Sequence, residues 1–206
     1  MTAPAGQNPI TETVVHTQLE DGRKICIRVV RASDELRMRQ GIELLSSQSR
    51  YLRFFSVAPA PPDRVIAKLV DVDGHRHLAW GAILTDDPAN LAIGAVHAVR
   101  ASECSSSAEF AVGIIDAYHG LGLARMLTAV LLVHCRSEGI ATMDVQILAE
   151  NRAAVSLVRS LGGQKIGTAQ GVSDYTLDTE NALHALQRET AVAGLKDVFS
   201  SLSQFI

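Results

Sequence analysis

The segment from residue 108 to residue 139 changes its hydrophobic period halfway, and this change restricts the folds open to the chain. Residues 108–115 read AEFAVGII, an apolar run that is typical of a buried strand. Residues 122–138 instead place apolar side chains at helical intervals, and Gly139 follows as a stop signal. A strand that passes through the glycine-containing turn at 118–122 into a long helix predicts a layered α/β fold.

The rest of the chain adds strands and helices in an order that favours a mixed sheet. Alternation predicts strands at 23–30, 77–84, 91–99, 141–148, 164–168 and 174–178. Helical spacing predicts helices at 33–47, at 151–161 and in a short stretch that ends near 70, after the prolines at 59, 61 and 62. The order β-α-α-β-β-β-α-β-α-β-β predicts a central twisted mixed sheet flanked by helices on both faces.

The length of 206 residues suits one sizeable domain with an appendage. Residues 1–20 are rich in Thr, Pro, Gly and Asn, which predicts a flexible N-terminal segment or an edge segment. We assign residues 21–178 to the domain and residues 179–206 to an added C-terminal helix. Its apolar stripe predicts that this extension packs on the domain or joins two copies in a homodimer.

Composition excludes several classes of protein. A net charge of −3 and only nine aromatic residues argue against a nucleic-acid-binding surface. The longest dense apolar run, 127–133, is far shorter than the about 20 residues of a membrane span, and the N-terminus lacks the features of a secretory signal. Cys26, Cys104 and Cys135 show no CxxC spacing, which indicates free thiols in a reducing compartment. We therefore expect a cytoplasmic protein.

The glycine-containing turn, YHGLGLA at 118–124, has the residues of an anion site. Its glycines let the backbone approach a ligand, and the first N–H groups of the following helix point toward an anion such as a pyrophosphate. A dinucleotide-binding G-x-G-x-x-G would need glycine where Arg125 stands, and a P-loop is excluded because Gly162 and Gly167 lack its following lysine. A turn with only a structural role remains the alternative.

Three parts of the chain together carry a family resemblance. His119, Gly122 and Ala124 stand at the defining places of the pattern [Q/R]-x-x-G-x-[G/A], and Asn151 and the Leu161–Gly163 stretch follow at the family's spacing. Over residues 23–178 the chain resembles the GNAT acyltransferase superfamily. The segments 47–55, 71–83 and 108–114 together are similar to the catalytic domain of bacterial protein-lysine acetyltransferases. Two positions depart from the family pattern, because Val158 replaces a tyrosine that can protonate the leaving thiolate and Gly163 replaces a phenylalanine.

The resemblance implies an acetyl-CoA site and a general base. It assigns Glu109 as the base that accepts the ammonium proton, whereas an exposed strand carboxylate is the structural alternative. It places Arg50, Tyr51 and Arg53 beside the acceptor groove. Main-chain N–H groups near Val112 and Ile114 would hold the thioester carbonyl. The full set assigned to acetyl-CoA is Val112, Ile114, His119, Gly120, Leu121, Gly122, Leu123, Ala124, Arg125 and Asn151.

Several of these side chains have a second interpretation. His119 either faces a phosphate or is a solvated loop residue, and Asn151 either binds pantetheine or caps a helix, two roles that can coexist. Cys135 lies in an apolar helix, which favours a core residue over a nucleophile. The acidic and histidine residues at 71–77 invite a metal site, but the D-x-D-G fragment lacks the distal glutamate of a calcium loop. We expect a turn there and no metal.

These observations predict an acetyl-CoA-dependent N-acetyltransferase that acts by direct attack of an amine, with a protein lysine as the first choice of acceptor. A small amine, such as a polyamine or an antibiotic, is the alternative within the enzyme class. A non-catalytic CoA-sensing or interaction domain is the alternative outside it, because Val158 and His119 depart from the family pattern. No nucleic acid, membrane or metal enters any of these functions.

Overall fold

A computed structural model describes residues 8–56, 58 and 61–206. In these residues eight strands form one sheet in the order β1-β2-β3-β4-β5-β6-β8-β7, antiparallel throughout except for the parallel pair β5 and β6. The strands are β1 (Val15–Gln18), β2 (Lys24–Val29), β3 (His77–Leu84), β4 (Ala92–Arg100), β5 (Ser107–Ile114), β6 (Thr142–Leu148), β7 (Gln164–Ala169) and β8 (Val172–Asp178). The predicted α/β class with a mixed sheet is confirmed.

Seven α-helices accompany the sheet in the described part of the chain. They are α1 (Glu35–Glu43), α2 (Ser47–Phe54), α3 (Asp63–Val70), α4 (Leu123–Ser137), α5 (Arg152–Ser160), α6 (Thr179–Gln187) and α7 (Gly194–Ser201). None of the helices in the described ranges combines the length and the apolar character that a membrane crossing requires.

Two predicted helices have other bounds in the structure. The predicted helix at 33–47 ends early, at Glu43, and α2 begins after Ser46, whose hydroxyl accepts the N–H of Ser49 at 3.1 Å as an N-cap. The predicted C-terminal helix is two helices, α6 and α7. In the connection between them Glu189 accepts the N–H of Ala191 at 2.9 Å, a local side-chain bond that competes with helical continuation.

The first residues of the sheet lie in the segment predicted as flexible or as an edge. Residues 1–7 are outside the described residues, whereas β1 pairs antiparallel with β2 and places Val15 opposite Ile27. Both side chains are fully buried, since buried residues alternate with exposed ones on β1. This part of the segment is therefore an edge strand of the sheet.

Helix α4 packs on one face of the sheet and supplies the centre of the core. Met126 and all residues from Leu127 to Cys135 are buried, because the helix has the sheet on one side and α6 and α7 on the other. Trp80 from β3 and Val96 from β4 face α4 across this core. The C-terminal helices thus pack within the same chain, where Leu183, Leu186, Leu195, Val198 and Leu202 are buried.

Helices α1, α2 and α3 cover the opposite face. There Gly81, Ala95 and Gly113 stand in register on β3, β4 and β5, so that three small residues form a row across the sheet. Because these side chains have little volume, the covering helices do not fill the space above them. Both this row and the gap between β5 and β6 border the candidate site.

Candidate functional site

The strands β5 and β6 separate soon after they meet. Their pairing runs from Ser107 opposite Thr142 only to Glu109 opposite Asp144, although both strands continue for several residues. A cleft of about 390 Å³ lies beyond this point, bounded by the end of β5, the turn at 118–122, the start of α5 and part of α2. All of the sequence-predicted cofactor residues except Leu121 line this cleft.

The turn presents a run of free donors to the cleft. Among the described residues, the N–H groups of 120–124 donate no hydrogen bond to protein, although all five lie before or within the first turn of α4. Gly120 and Gly122 have φ values of 74° and 82°, a region that favours glycine, and the first turn of α4 carries no acidic side chain. The positive end of the helix dipole thus faces the cleft. Such an arrangement can bind a phosphate or pyrophosphate.

The end of β5 adds main-chain donors on the other wall. The N–H of Ile115 donates to Ile93 on the β4 side at 3.0 Å. Because successive residues of a strand point their N–H groups to opposite sides, Val112 and Ile114 turn theirs toward the gap. The strand that would otherwise pair with them, β6, has already diverged. Two backbone donors are therefore available to an extended ligand in the cleft.

Three predicted side chains of the cleft have defined contacts. The Nε2 of exposed His119 donates to the Ile114 carbonyl at 2.9 Å, which directs the ring toward the strand end. Asn151 lines the cleft and also caps α5, since its Oδ1 accepts the Ala154 N–H at 3.1 Å. Arg125 lines the cleft beside the turn, and its Nε lies 3.5 Å from the carboxylate of Glu189.

Glu109 lies where the two strands part, but outside the lining of the cofactor cleft. It is exposed in an open groove of about 450 Å³ and stands in register with Asp144. Asp174 lines the same groove. By strand alternation Glu109 shares a face with Ala111 and Gly113, the face covered by α2. A carboxylate in this position can meet an amine that enters from the side opposite α4.

The residues 50, 51 and 53 of α2 are separated in the structure. Arg53 lies over Gly113 and lines the cofactor cleft. Burial lowers the pKa of Arg53 to about 10, and the nearby negative charge of Glu109 opposes that change. Arg50 instead lines a separate pocket with Pro62 and Val65, and half-buried Tyr51 does not line the cleft.

The two departures from the family pattern are packed against each other. Val158 is buried, with 2% of its surface exposed, and a Cβ on Gly163 would lie 2.3 Å from its Cγ1. No room exists there for a phenylalanine at 163, and no phenol stands at 158. Ser156 is the hydroxyl residue of α5 that lines the cleft. A departing thiolate can therefore obtain its proton from water or from an alcohol.

Asp116 anchors α2 to the cofactor turn, a role that the sequence did not indicate. Its carboxylate accepts the Ser46 N–H at 3.0 Å and the Ser46 and Ser49 hydroxyls at 2.7 Å each. Partial burial raises its pKa, but these hydrogen bonds prevail and lower it to about 2. The contact spans about seventy residues of sequence, so no local pattern could indicate it.

The region at 71–77 is a turn, as the sequence favoured. One oxygen of Asp73 accepts the N–H groups of His75, Arg76 and His77 at 2.9, 2.7 and 2.9 Å. Within residues 8–56, 58 and 61–206, no three His, Cys, Asp or Glu side chains are grouped so that they could hold a metal ion. Cys135 is fully buried, and burial raises the pKa of its thiol, which leaves it protonated and unreactive.

Comparisons with known proteins agree with this geometry. No protein-family model matches the chain. An acetyltransferase of Pseudomonas aeruginosa is 33% identical over 144 residues, which cover 70% of this chain and 77% of the relative. The fold also matches the GNAT domain of the S. lividans protein PAT, with a TM-score of 0.74, 21% identity, and coverage of 80% of this chain and 96% of that one.

A second solved structure is described together with its acceptor class. The spermidine N-acetyltransferase of Vibrio cholerae, solved with CoA and spermine, matches with a TM-score of 0.60 and 17% identity, over 77% of this chain and 98% of that chain. The fold, the free donors of the glycine turn and the acetyltransferase relative lead to one conclusion. The chain belongs to the GNAT acetyltransferase superfamily.

Proposed function

We propose that the chain transfers an acetyl group from acetyl-CoA to the side-chain amine of a protein lysine, with Glu109 as the general base. The observation that carries the proposal is the run of free N–H groups at 120–124, which forms one wall of a cleft that begins where β5 and β6 part. A pyrophosphate held there leaves the rest of an extended cofactor to follow β5 toward Glu109.

The binding roles follow from the donors of the cleft. The N–H groups at 120–124 and the α4 dipole would hold the pyrophosphate, with Arg125 as a nearby cation. The N–H groups of Val112 and Ile114 would bond the pantetheine arm or the thioester carbonyl. Asn151 lines the same wall through the start of α5. Acetyl-CoA supplies a carbonyl carbon that is activated by its thioester.

The chemistry needs a neutral amine and no covalent enzyme intermediate. Glu109 would accept a proton from the lysine ammonium, which frees the nitrogen lone pair for attack. The new C–N bond forms as the C–S bond breaks, and the bonding electron pair leaves with sulfur. Because Val158 is buried and carries no acid, water would protonate the thiolate.

A protein lysine is favoured by the openness of the groove around Glu109. The groove is solvent-exposed and has Asp144 and Asp174 on its walls, so it would attract an ammonium group carried on another protein's surface. The resemblance of segments 47–55, 71–83 and 108–114 to bacterial protein-lysine acetyltransferases supports the same choice, whereas the spermidine enzyme supports a polyamine for the same acidic groove. Direct comparison of the two acceptors with the same protein decides between them.

Cofactor binding is tested by a pair of glycine variants with equal strain. Gly120 and Gly139 both have positive φ, and a Cβ added at either residue would have no atom within 4 Å, so alanine costs each about 1 kcal/mol of backbone strain. Only Gly120 lies in the cleft. By calorimetry, Gly120→Ala should weaken acetyl-CoA binding about tenfold, which corresponds to about 1.4 kcal/mol, and Gly139→Ala should not. Equal affinity of the two variants contradicts the assignment of the turn.

Gly122 would be a less informative position for this test. A Cβ there would lie 2.6 Å from Cγ1 of Val192, in the connection between α6 and α7. A larger side chain at 122 therefore disturbs packing as well as the ligand. The pair at 120 and 139 avoids that ambiguity.

Turnover is tested at Glu109. Glu109→Gln should lower the acetylation rate roughly 100-fold and leave the dissociation constant of acetyl-CoA unchanged, since a base acts on the acceptor. The acceptors are a lysine peptide and spermidine, each followed by CoA release and by the mass of the product. If the parental protein acetylates spermidine but not the lysine peptide, the acceptor is a polyamine and not a protein lysine. If it binds acetyl-CoA but releases no CoA with either acceptor, the chain is a sensor domain.

A further inference from the structure

A small chamber lies between α1, α2 and the sheet, next to the cofactor cleft. It has a volume of about 70 Å³, and its floor is the row of Gly81, Ala95 and Gly113. Apolar side chains of α1 and α2 form most of the opposite wall. Arg53 and Gly113 line both this chamber and the cofactor cleft, so the two spaces meet at those residues.

The floor of the chamber includes the polar side chain of His97. It stands on β4 with 4% of its surface exposed, on the face that also carries Ala95. On the neighbouring strand it is directly opposite Ala111, and Glu109 lies one step further along the same face. His97 and Glu109 are thus diagonal neighbours, within about 8 Å between backbones. A nitrogen atom that enters beside Glu109 also comes close to His97.

A short chain of hydrogen bonds connects His97 to the surface. The Nδ1 of His97 lies 3.0 Å from the Nε2 of His77, and the Nδ1 of His77 lies 2.8 Å from the Asp71 carbonyl oxygen. A carbonyl can only accept, so the Nδ1 of His77 carries a hydrogen, and in the neutral ring its Nε2 is the acceptor. The Nδ1 of His97 must then be the donor. This leaves a lone pair on the Nε2 of His97, for which the described residues provide no donor.

The surrounding charges keep His97 neutral. Burial lowers its pKa well below the ordinary value, and the positive charge of Arg53 adds to that effect. Glu109 is the acidic group on the adjacent strand. At the other end of the chamber Asp34 is neutralised by Arg28 at 2.7 Å and by Arg37 at 3.2 Å. A neutral imidazole with a free lone pair is a base.

We propose that His97 is a second proton acceptor of the transfer reaction and passes its proton through His77 to solvent. The proposal rests on the proposed function, because it concerns the same acceptor nitrogen. That nitrogen has three hydrogens as an ammonium and one as an amide, so two protons must leave it. Glu109 takes the first, and the Nε2 of His97 takes the second as the C–N bond forms and the C–S bond breaks.

The relay returns His97 to a neutral form without moving the ring. His97 passes its Nδ1 proton to the Nε2 of His77, which then carries protons on both nitrogens. His77 is half-buried, so its ring can deliver a proton to water. The thiolate takes a proton from water, and the net product of the reaction is one released proton. His97 then carries its hydrogen on Nε2 until the pair exchanges protons with solvent.

The test uses three variants of the full chain and the acceptor that the parental protein acetylates. His97→Gln should lower the rate about 100-fold and leave acetyl-CoA affinity unchanged. His77→Ala should also lower the rate. Added imidazole should restore it, because the space left by the His77 ring is open to solvent. His184→Gln, at an exposed position of α6, should match the parental protein in rate and in pH profile. A parental rate for His97→Gln, or a slow His77→Ala that imidazole does not restore, overturns the relay.

A spectroscopic measurement separates failure of the relay from failure of the proposed function. In the parental protein, nitrogen NMR should find neutral His97 with its hydrogen on Nδ1 at pH 7, and the opposite tautomer overturns the relay. If the parental chain acetylates no amine, the proposed function has failed. Parental activity with an unaffected His97→Gln removes only the relay and leaves Glu109 as the base.

Discussion

Acid should destabilise this fold through its buried histidines before any carboxylate is protonated. His134 on α4 is fully buried, and its Nδ1 accepts the indole N–H of Trp80 at 3.2 Å. Its Nε2 is buried and has no hydrogen-bond partner among the described residues. Burial lowers the pKa of His134 to about 4, although the charge of Glu138 opposes the change. The folded protein therefore holds this imidazole neutral.

The size of the effect follows from proton linkage. The unfolded chain binds the proton near a pKa of about 6.5 and the folded chain only near about 4, so the unfolded state is favoured as the pH falls through 6.5. Between pH 7.5 and pH 5 the loss is roughly 2 kcal/mol. The lowered pKa of buried His97 adds a loss of the same sign. Asp34 and Asp116 also have lowered pKa values, but they contribute stability that is lost only below about pH 4.

Urea unfolding at several pH values between 5 and 7.5 measures this loss. In His134→Gln the amide oxygen can still accept the Trp80 indole N–H, but the side chain does not titrate. Burying glutamine changes the free energy of unfolding by the same amount at every pH. This amount therefore cancels when the stability of a variant at one pH is subtracted from its stability at another. The pH-dependent loss should therefore shrink by roughly 2 kcal/mol in His134→Gln and remain parental in His184→Gln, an exposed control. An unchanged loss in His134→Gln refutes the assignment.

Three further predictions concern packing around the site. Gly163→Phe, which restores the family residue, should lower stability by about 1–3 kcal/mol in chemical unfolding, since its Cβ would lie 2.3 Å from Val158 Cγ1. Asp116→Asn should lower the free energy of unfolding by about 1 kcal/mol and increase hydrogen exchange in α2, because it weakens the exposed contacts to Ser46. Unchanged hydrogen exchange in α2 contradicts this role of Asp116. Removal of residues 179–206 should lower the melting temperature sharply, as the two helices cover α4, and an unchanged transition would make them dispensable.

Local periodicity was enough to predict most strands and the turn before α4. The run at 108–115 and the helix after it differ in period, and the glycines between them have the positive φ that the pattern required. The Asn151 cap is equally local, since its partner is three residues away. These features depend on neighbours in sequence, which is why the glycine turn and the helix cap could be predicted before the structure.

The early end of the helix predicted at 33–47 depends on a distant contact. The gap between α1 and α2 is stabilised by Asp116, about seventy residues away, and hydrophobic spacing alone continues across it. Local sequence spacing is equally insufficient to orient α2. Whether Arg50 or Arg53 reaches the cleft depends on how the helix is rotated over Gly113, and helical spacing gives only their relative direction.

The chamber above the sheet arises from strand register, which no single segment contains. Gly81, Ala95 and Gly113 come from three strands, and they form a floor only because their pairing aligns them. Along β4 the alternation sends Val96 into the core and His97 into the chamber. A shift of β4 by one residue in register would place Val96 in the chamber and His97 in the core. The same register that buries the aliphatic core on α4 therefore also places an imidazole beside the gap between β5 and β6.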